Sequence, residues 1–145
     1  QILSQQAMSQ VESVKLVSRP VDITTLVSPS KLTTTFKSPL ISGDPVFLAY
    51  LFDILYLINN NQPLTVTAEE HQPGYVPLLV MMSTLTLSDD VCRDLFQPSA
   101  DRLMFFICRQ IARDNGESTN KRGCGISAIK TPNGVRIDVV LAKVN

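Results

Sequence analysis

The sequence predicts an α+β fold in which about four helices pack on a mainly antiparallel sheet that ends in a C-terminal hairpin. Apolar residues recur at helical spacing in some segments and alternate with polar residues in others. The strand-like segments are grouped rather than alternating one-for-one with helices, and a tight turn closes the chain, which favours this class over a doubly wound sheet. The length of 145 residues is that of one ordinary domain.

The first 17 residues have the pattern of an amphipathic helix that docks or connects. Pro20 ends the helical pattern, because a residue before proline is biased to extended geometry. The helix is rich in Gln and Ser, so it needs a partner surface for stability. We expect that surface to contact the apolar stripe formed by Leu3, Ala7, Val11 and Val14.

Residues 18–43 form a Ser/Thr/Pro-rich extended segment. Ten of these 26 positions are Ser or Thr, and three are Pro. Short strands at 21–23 and 32–36 fit this composition, and the prolines would confine them to sheet edges. A linker that drapes over the core is the alternative. Residues 44–145 are then expected to form a single α+β globular domain.

The strongest helix signal in the sequence lies at residues 45–58. Asp44 suits the N-cap and Pro45 the first helical position. Asp53 is the one charged residue among positions 46–58, so apolar side chains lie on every face. The sequence therefore predicts either a helix buried all round or one shared with a partner, with the Asp53 carboxylate reaching solvent or a donor.

Two strand-like segments follow this helix. Residues 64–68 alternate between apolar and polar, as a half-buried strand does. The apolar run 75–87 predicts a strand interrupted by Pro77, although a helix over 78–85 remains an alternative because short apolar runs are ambiguous.

The last third of the chain predicts two helices and a hairpin. Ser88 caps a helix over 88–96, and a second helix over 98–114 stops at Asn115-Gly116. The hairpin spans 126–144, with Pro, Asn and Gly supplying its turn geometry.

The charge of the chain is unevenly distributed, although its formal sum is zero. Residues 1–90 carry four basic and eight acidic groups, and residues 91–145 carry nine basic and five acidic groups. Several of the basic residues fall on one helix face, in the loop after that helix and beside the hairpin turn. They form a candidate anion-binding patch of Arg102, Arg109, Arg113, Lys121, Arg122, Lys130 and Arg136.

Cysteine and histidine supply weaker candidates. Three widely spaced cysteines argue against a disulfide scaffold, although a Cys92–Cys108 bridge stays open. Cys124 lies in a Gly-containing loop near basic residues, which favours a lowered pKa, and His71 is the one possible base for a thiol hydrolase. Carboxylates around His71 are also a minor metal candidate. No catalytic, cofactor or metal signature stands above background, so none of these is expected to define the protein.

These observations together favour a non-enzymatic protein–protein interaction or assembly domain, one that needs no cofactor. The start at Gln1 indicates part of a larger protein or complex, and the low charged fraction of 18% fits an extracytoplasmic or assembly-associated subunit. A protein partner or self-association is expected, and no run is long enough for a membrane span. The alternative is a polyanion-binding or nucleic-acid-binding module that uses the basic patch.

Overall fold

The computed structural model describes residues 17–34, 40–69, 73–121 and 123–144. This part of the chain contains four α-helices and seven strands. The helices are α1 (Ile23–Leu26), α2 (Pro45–Ile58), α3 (Asp89–Asp94) and α4 (Leu103–Ser118), and a 3-10 turn at Ala100–Arg102 precedes α4. The strands are β1 (Arg19–Val21), β2 (Leu32–Thr34), β3 (Ile41–Gly43), β4 (Leu64–Ala68), β5 (Tyr75–Met82), β6 (Gly125–Thr131) and β7 (Gly134–Lys143). The predicted docking stripe Leu3, Ala7, Val11 and Val14 lies outside the described residues.

All seven strands belong to one curled sheet in the order β1-β3-β7-β5-β4-β2, with β6 also paired to β7. Among the described strand pairs, β2–β4 is parallel and the others are antiparallel. The helices do not alternate one-for-one with the strands along the chain. The predicted α+β class with about four helices and a mainly antiparallel sheet is therefore confirmed.

The long strand β7 organises the sheet. Its residues Val135 to Ala142 pair with β5 on one side, while β6 and β3 pair one after the other along its other side. Every second residue of β7 from Val135 to Leu141 is fully buried, and β5 alternates in the same way. The alternation places one face of the sheet against the helices, as the period of two requires.

The C-terminal hairpin is confirmed, with a two-residue connection at positions 132–133. Thr131 pairs directly with Gly134, whose φ of +136° is a conformation that L side chains rarely adopt. A Cβ at this position would also lie 2.4 Å from the Met82 carbonyl oxygen. Glycine is therefore required where β7 leaves the turn.

Strand β5 runs through Pro77 without interruption, which corrects the predicted break. The Pro77 carbonyl accepts a hydrogen bond from the Glu69 backbone N–H at 3.0 Å, on the side where β4 has just ended at Ala68. The N–H and C=O of one strand residue point to the same side of the strand. The N–H that proline lacks would therefore have pointed toward the end of the β4–β5 ladder, where β4 stops. Proline is tolerated here because the position costs the sheet no interior hydrogen bond.

Helix α2 begins as its sequence predicts. The Asp44 carboxylate accepts from the backbone N–H of Val46 at 2.9 Å, and Pro45 occupies the first turn. The outer face is partly open, since Val46 and Leu57 are 73% and 55% exposed. The buried face consists of Leu48, Leu51, Phe52, Ile54 and Leu55. Asp53, predicted to reach solvent or a donor, is exposed and lies 3.8 Å from the Lys31 ammonium.

Helix α4 differs from its prediction at both ends. It begins at Leu103 rather than at 98, because Ser99 caps the separate 3-10 turn. It also continues through Asn115-Gly116 to Ser118. Asn115 is 1% exposed and accepts from the Asp44 backbone N–H at 2.7 Å, so its side chain joins two helices instead of ending one.

The two long helices run antiparallel. Asp44 at the start of α2 meets Asn115 near the end of α4, and the Cys108 thiol lies 4.0 Å from the carbonyl oxygen of Leu51 halfway along. The end of α2 is therefore level with the first turn of α4. This arrangement gives α4 two different surroundings, one at each end.

Candidate functional site

The structure divides the predicted anion-binding patch instead of gathering it. Arg102 lies before α4, Arg109 and Arg113 lie along that helix, and Lys121 follows it. Arg109 stacks on its own helix, 5.9 Å from the Phe106 ring centroid. Lys130 and Arg136 lie on the hairpin strands β6 and β7, and Arg122 lies outside the described residues.

Arg136 is occupied by an acidic neighbour on the same strand. Its Nε and Nη2 atoms donate to the two carboxylate oxygens of Asp138 at 2.7 and 3.0 Å. The side-chain hydrogen bond to Asp138 raises the pKa of Arg136 above its ordinary value, although burial opposes the rise. The guanidinium fork is already filled by a carboxylate, so we do not assign this residue to an anion site.

Elements from three parts of the chain meet beside the first turn of α4, at what we call the N-terminal corner. The Asn59 amide oxygen at the end of α2 accepts from the backbone N–H and the hydroxyl of Thr84 at 3.1 and 2.7 Å. Arg102 donates to the Asp94 carbonyl oxygen at 3.2 Å. The bonds between Asn59 and Thr84 tie the end of α2 to the loop after β5, and the bond from Arg102 ties the turn before α4 to helix α3.

The N-terminal corner is mostly apolar. The Phe96 and Phe105 rings meet edge to face with centroids 5.7 Å apart. Half-buried apolar side chains pack on the core in the elements that meet here, namely Ile58, Leu85, Leu87, Leu103 and Met104. The N-cap residue of helix α4 is Arg102, whose side chain makes no cap hydrogen bond. The positive end of the helix dipole is therefore not neutralised by an acceptor on the N-cap residue.

A recess of about 400 Å³ lies at the opposite end of α4, and we call it the C-terminal recess. Its lining side chains come from the last turns of α4, the following loop and the approach to β6. They are Arg113, Glu117, Lys121 and Cys124. Two residues of the predicted patch therefore come together here, with an acid and a thiol that were not assigned to that patch.

Tight contacts hold the loop that forms this recess. The Lys121 backbone N–H donates to the Gly116 carbonyl oxygen at 2.8 Å, and a Cβ on Gly116 would lie 2.6 Å from both the Lys121 oxygen and the Cys124 Cβ. The Gly123 N–H donates to the Tyr75 hydroxyl at 3.2 Å. The Lys121 ammonium lies 5.7 Å from the centroid of the Tyr75 ring. The lysine is thus anchored at the rim of the recess.

The Cys124 thiol is neutral at ordinary pH, which corrects the predicted lowering of its pKa. Burial raises the pKa of Cys124 to about 11, and the nearby Lys121 charge offsets only part of that rise. Burial is also the main reason why the pKa values of Cys92 and Cys108 are raised. All three thiols are free, so the open alternative of a Cys92–Cys108 bridge is wrong. His71, the possible base, lies outside the described residues.

Among the described residues, no group of three His, Cys, Asp or Glu side chains is placed to hold a metal ion. None of the helices within 17–34, 40–69, 73–121 and 123–144 is both long and apolar enough to cross a membrane.

Sequence reasoning missed parts of both places. Glu117 stands four residues after Arg113, so the helical spacing alone was a signal that they share a face. Tyr75 lies 48 residues before Gly123, and Asn59 lies 25 residues before Thr84. No local pattern indicates these two long-range contacts.

The comparisons with known proteins point to one fold. The chain matches no protein-family model and no curated protein. The catalytic domain of histidine kinase ThkA is 16% identical, with a TM-score of 0.67 over 88% of this chain and 96% of that one. The ATP-binding domain of PrrB from Mycobacterium tuberculosis is 15% identical, with a TM-score of 0.65 over 88% of this chain and 98% of that one.

A longer ThkA structure, in complex with the response regulator protein TrrA, is 15% identical to this chain. The TM-score is 0.74 over 99% of this chain and 47% of that one. This protein has the α+β fold of histidine-kinase catalytic domains. At these identities the likeness shows the fold.

This finding corrects the functional prediction. The prediction of a non-enzymatic interaction or assembly domain is wrong, because the solved structures that resemble this chain include the catalytic domain of histidine kinase ThkA and the ATP-binding domain of PrrB. The expectation that the chain is no enzyme fails for the same reason. The alternative of a nucleic-acid-binding module fails with it, and the division of the basic patch removes the feature that suggested it.

Proposed function

We propose that this chain is an ATP-binding kinase domain of the histidine-kinase type. The fold likeness carries the proposal, since it extends over 88% of this chain and nearly all of the ThkA catalytic domain. The likeness therefore concerns the whole domain rather than a shared supersecondary unit. The complex of ThkA with a response regulator supports a protein partner for this chain as well.

The N-terminal corner is where we place the nucleotide. The start of the 16-residue helix α4 offers backbone N–H groups and the positive end of the helix dipole, both of which favour phosphate groups. Arg102 adds a fixed positive charge at the same point. Half-buried apolar side chains such as Ile58 and Leu85 offer a surface for the base.

The described residues do not fit a protein-bound Mg²⁺ ion at this corner. Kinases commonly hold Mg²⁺ with carboxylate and amide oxygens together with the phosphates. No suitable cluster occurs in the described part of the chain, and the Asn59 oxygen is occupied by Thr84. We therefore assign no step to a metal, and the proposed role of the corner is to bind and orient the nucleotide.

The proposal is tested by titrating the chain with ATP in buffer containing MgCl2, with calorimetry as the readout. We expect saturable binding that weakens about fivefold in Arg102→Gln, because one charge-assisted contact to phosphate is lost. Arg93→Gln is the matched control, since Arg93 is an exposed arginine on α3 paired with Asp90. Absence of ATP binding in the unmodified chain, or equal losses in both variants, contradicts the proposed site.

A further inference from the structure

The C-terminal recess is lined by charges of both signs. Arg113 and Glu117 stand one turn apart on α4, and Lys121 faces them from the loop. No ion pair joins these three residues to one another in the part of the chain that the structure describes. The order Arg then Glu along a helix is also the weaker of the two orders for an i,i+4 pair. Both signs of charge therefore remain available to a ligand.

The fourth lining group adds no charge. The Cys124 thiol stays protonated because burial raises its pKa to about 11. Among the described residues, two cations, one carboxylate and a neutral thiol thus line an open space of about 400 Å³. Small-molecule sites begin at roughly 300 Å³, so this space is large enough for a dipeptide-sized molecule.

The charges select the class of ligand. A simple anion is attracted by Arg113 and Lys121 but repelled by Glu117. A molecule with a carboxylate at one end and an ammonium group at the other satisfies all three residues. We propose that the C-terminal recess binds a small zwitterion, a free amino acid or a short peptide, with its carboxylate on Arg113 and Lys121 and its ammonium group on Glu117.

The loop side of the recess is held by contacts that need no ligand. The bond between the Lys121 N–H and the Gly116 oxygen closes the turn, and the Tyr75 ring and hydroxyl hold Lys121 and Gly123. Ligand binding therefore costs little conformational entropy in the loop. The recess also lies at the other end of the 16-residue α4 from the N-terminal corner, about 24 Å away along the helix axis. The inference consequently does not depend on the proposed nucleotide site.

The test is a titration of the ¹⁵N-labelled chain followed by NMR, with glycylglycine as the zwitterion and acetate as the simple anion. We expect saturable shifts of the Gly116, Gly123 and Gly125 amides with glycylglycine, and binding about fivefold weaker for acetate. Glu117→Gln is expected to weaken glycylglycine and strengthen acetate, whereas Arg113→Gln weakens both. Arg113 and Glu117 are exposed, so these variants retain the fold, which the same spectra verify.

Arg93→Gln serves as the control and is expected to change neither titration, because Arg93 lies on α3 outside the lining of the recess. Two results overturn the proposal. One is the absence of saturable shifts with glycylglycine. The other is acetate binding as tight as that of glycylglycine and indifferent to Glu117→Gln, which would show a simple anion site instead.

Discussion

The two ends of helix α4 are held in place by different kinds of interaction. The start of α4 at the N-terminal corner has no side-chain cap and is held by the edge-to-face contact of Phe96 with Phe105 and by the exposed bond from Arg102 to Asp94. The other end is fixed by directed hydrogen bonds, from Asp44 to Asn115 and from Lys121 to Gly116. Apolar packing tolerates rearrangement, whereas a buried hydrogen bond permits one geometry. The comparison suggests an adaptable end and a rigid end on one helix.

The largest effect is expected from removing an aromatic ring at the N-terminal corner. Phe96 is 6% exposed, so Phe96→Ala should lower the free energy of unfolding by about 3 kcal/mol through lost burial and a cavity. Urea denaturation measures the loss. Val46→Ala, at a 73% exposed position, should stay within about 0.5 kcal/mol. If Phe96→Ala were as stable as Val46→Ala, aromatic packing could not be what stabilises the N-terminal corner.

A somewhat smaller effect is expected from breaking the buried bond at the other end. Asn115→Ala leaves the Asp44 N–H without its acceptor and should cost about 2 kcal/mol in the same denaturation experiment. The exposed neighbour Glu117→Ala provides the comparison and should be nearly neutral. Equal stabilities for the two variants would show that the hydrogen bond between the helices does not hold this end.

Two glycines near the C-terminal recess form a matched pair. Gly116→Ala places a methyl group 2.6 Å from the Lys121 oxygen and should cost about 1 to 2 kcal/mol, because the loop must move away. A Cβ on Gly125 meets nothing within 4 Å, so Gly125→Ala should be close to neutral. Thermal unfolding of both variants checks the difference. A Gly116→Ala variant with unchanged stability would mean that the end of α4 is less rigid than its contacts indicate.

The smallest expected effect concerns the reactivity of the Cys124 thiol. Its pKa is raised to about 11, so alkylation by iodoacetamide at pH 8 should be at least about tenfold slower than that of free cysteine. The rate should rise as pH increases through 11, because the thiolate is the reactive form. Lys121→Ala should slow alkylation further, since Lys121 lowers this pKa. Peptide mapping by mass spectrometry resolves Cys124 from the other two thiols, and a fast reaction at pH 8 would contradict the assignment.

Local sequence signals predicted most of the elements. The Asp44-Pro45 start of α2, the Ser88 cap of α3, the alternation in β4 and the turn at Gly134 each depend on residues within a few positions of one another. The same local reasoning failed at Pro77 and at Asn115. In both cases the deciding partner, Glu69 or Asp44, is not part of the local pattern that was interpreted.

The sequence predicted the candidate sites less well than it predicted the fold. The helical spacing predicted that Arg102, Arg109 and Arg113 lie on one helix; Arg109 and Arg113 do, whereas Arg102 precedes α4. That spacing also does not reveal whether more distant charges converge. The hairpin carries Lys130 and Arg136 away from Lys121, and Asp138 occupies Arg136. The grouping of basic residues in the sequence was therefore a poor guide to which of them lie together in the structure.

By itself, the sequence determined the α+β class, the start of α2 and the closing hairpin, because caps, periodicity and turn residues act over short distances. Only the tertiary structure decided that the chain has the fold of histidine-kinase catalytic domains and that Arg113, Glu117, Lys121 and Cys124 surround one recess. These features depend on contacts such as that of Tyr75 with Gly123, which join residues 48 positions apart. Such contacts form only when packing brings distant segments together, and no local propensity encodes them.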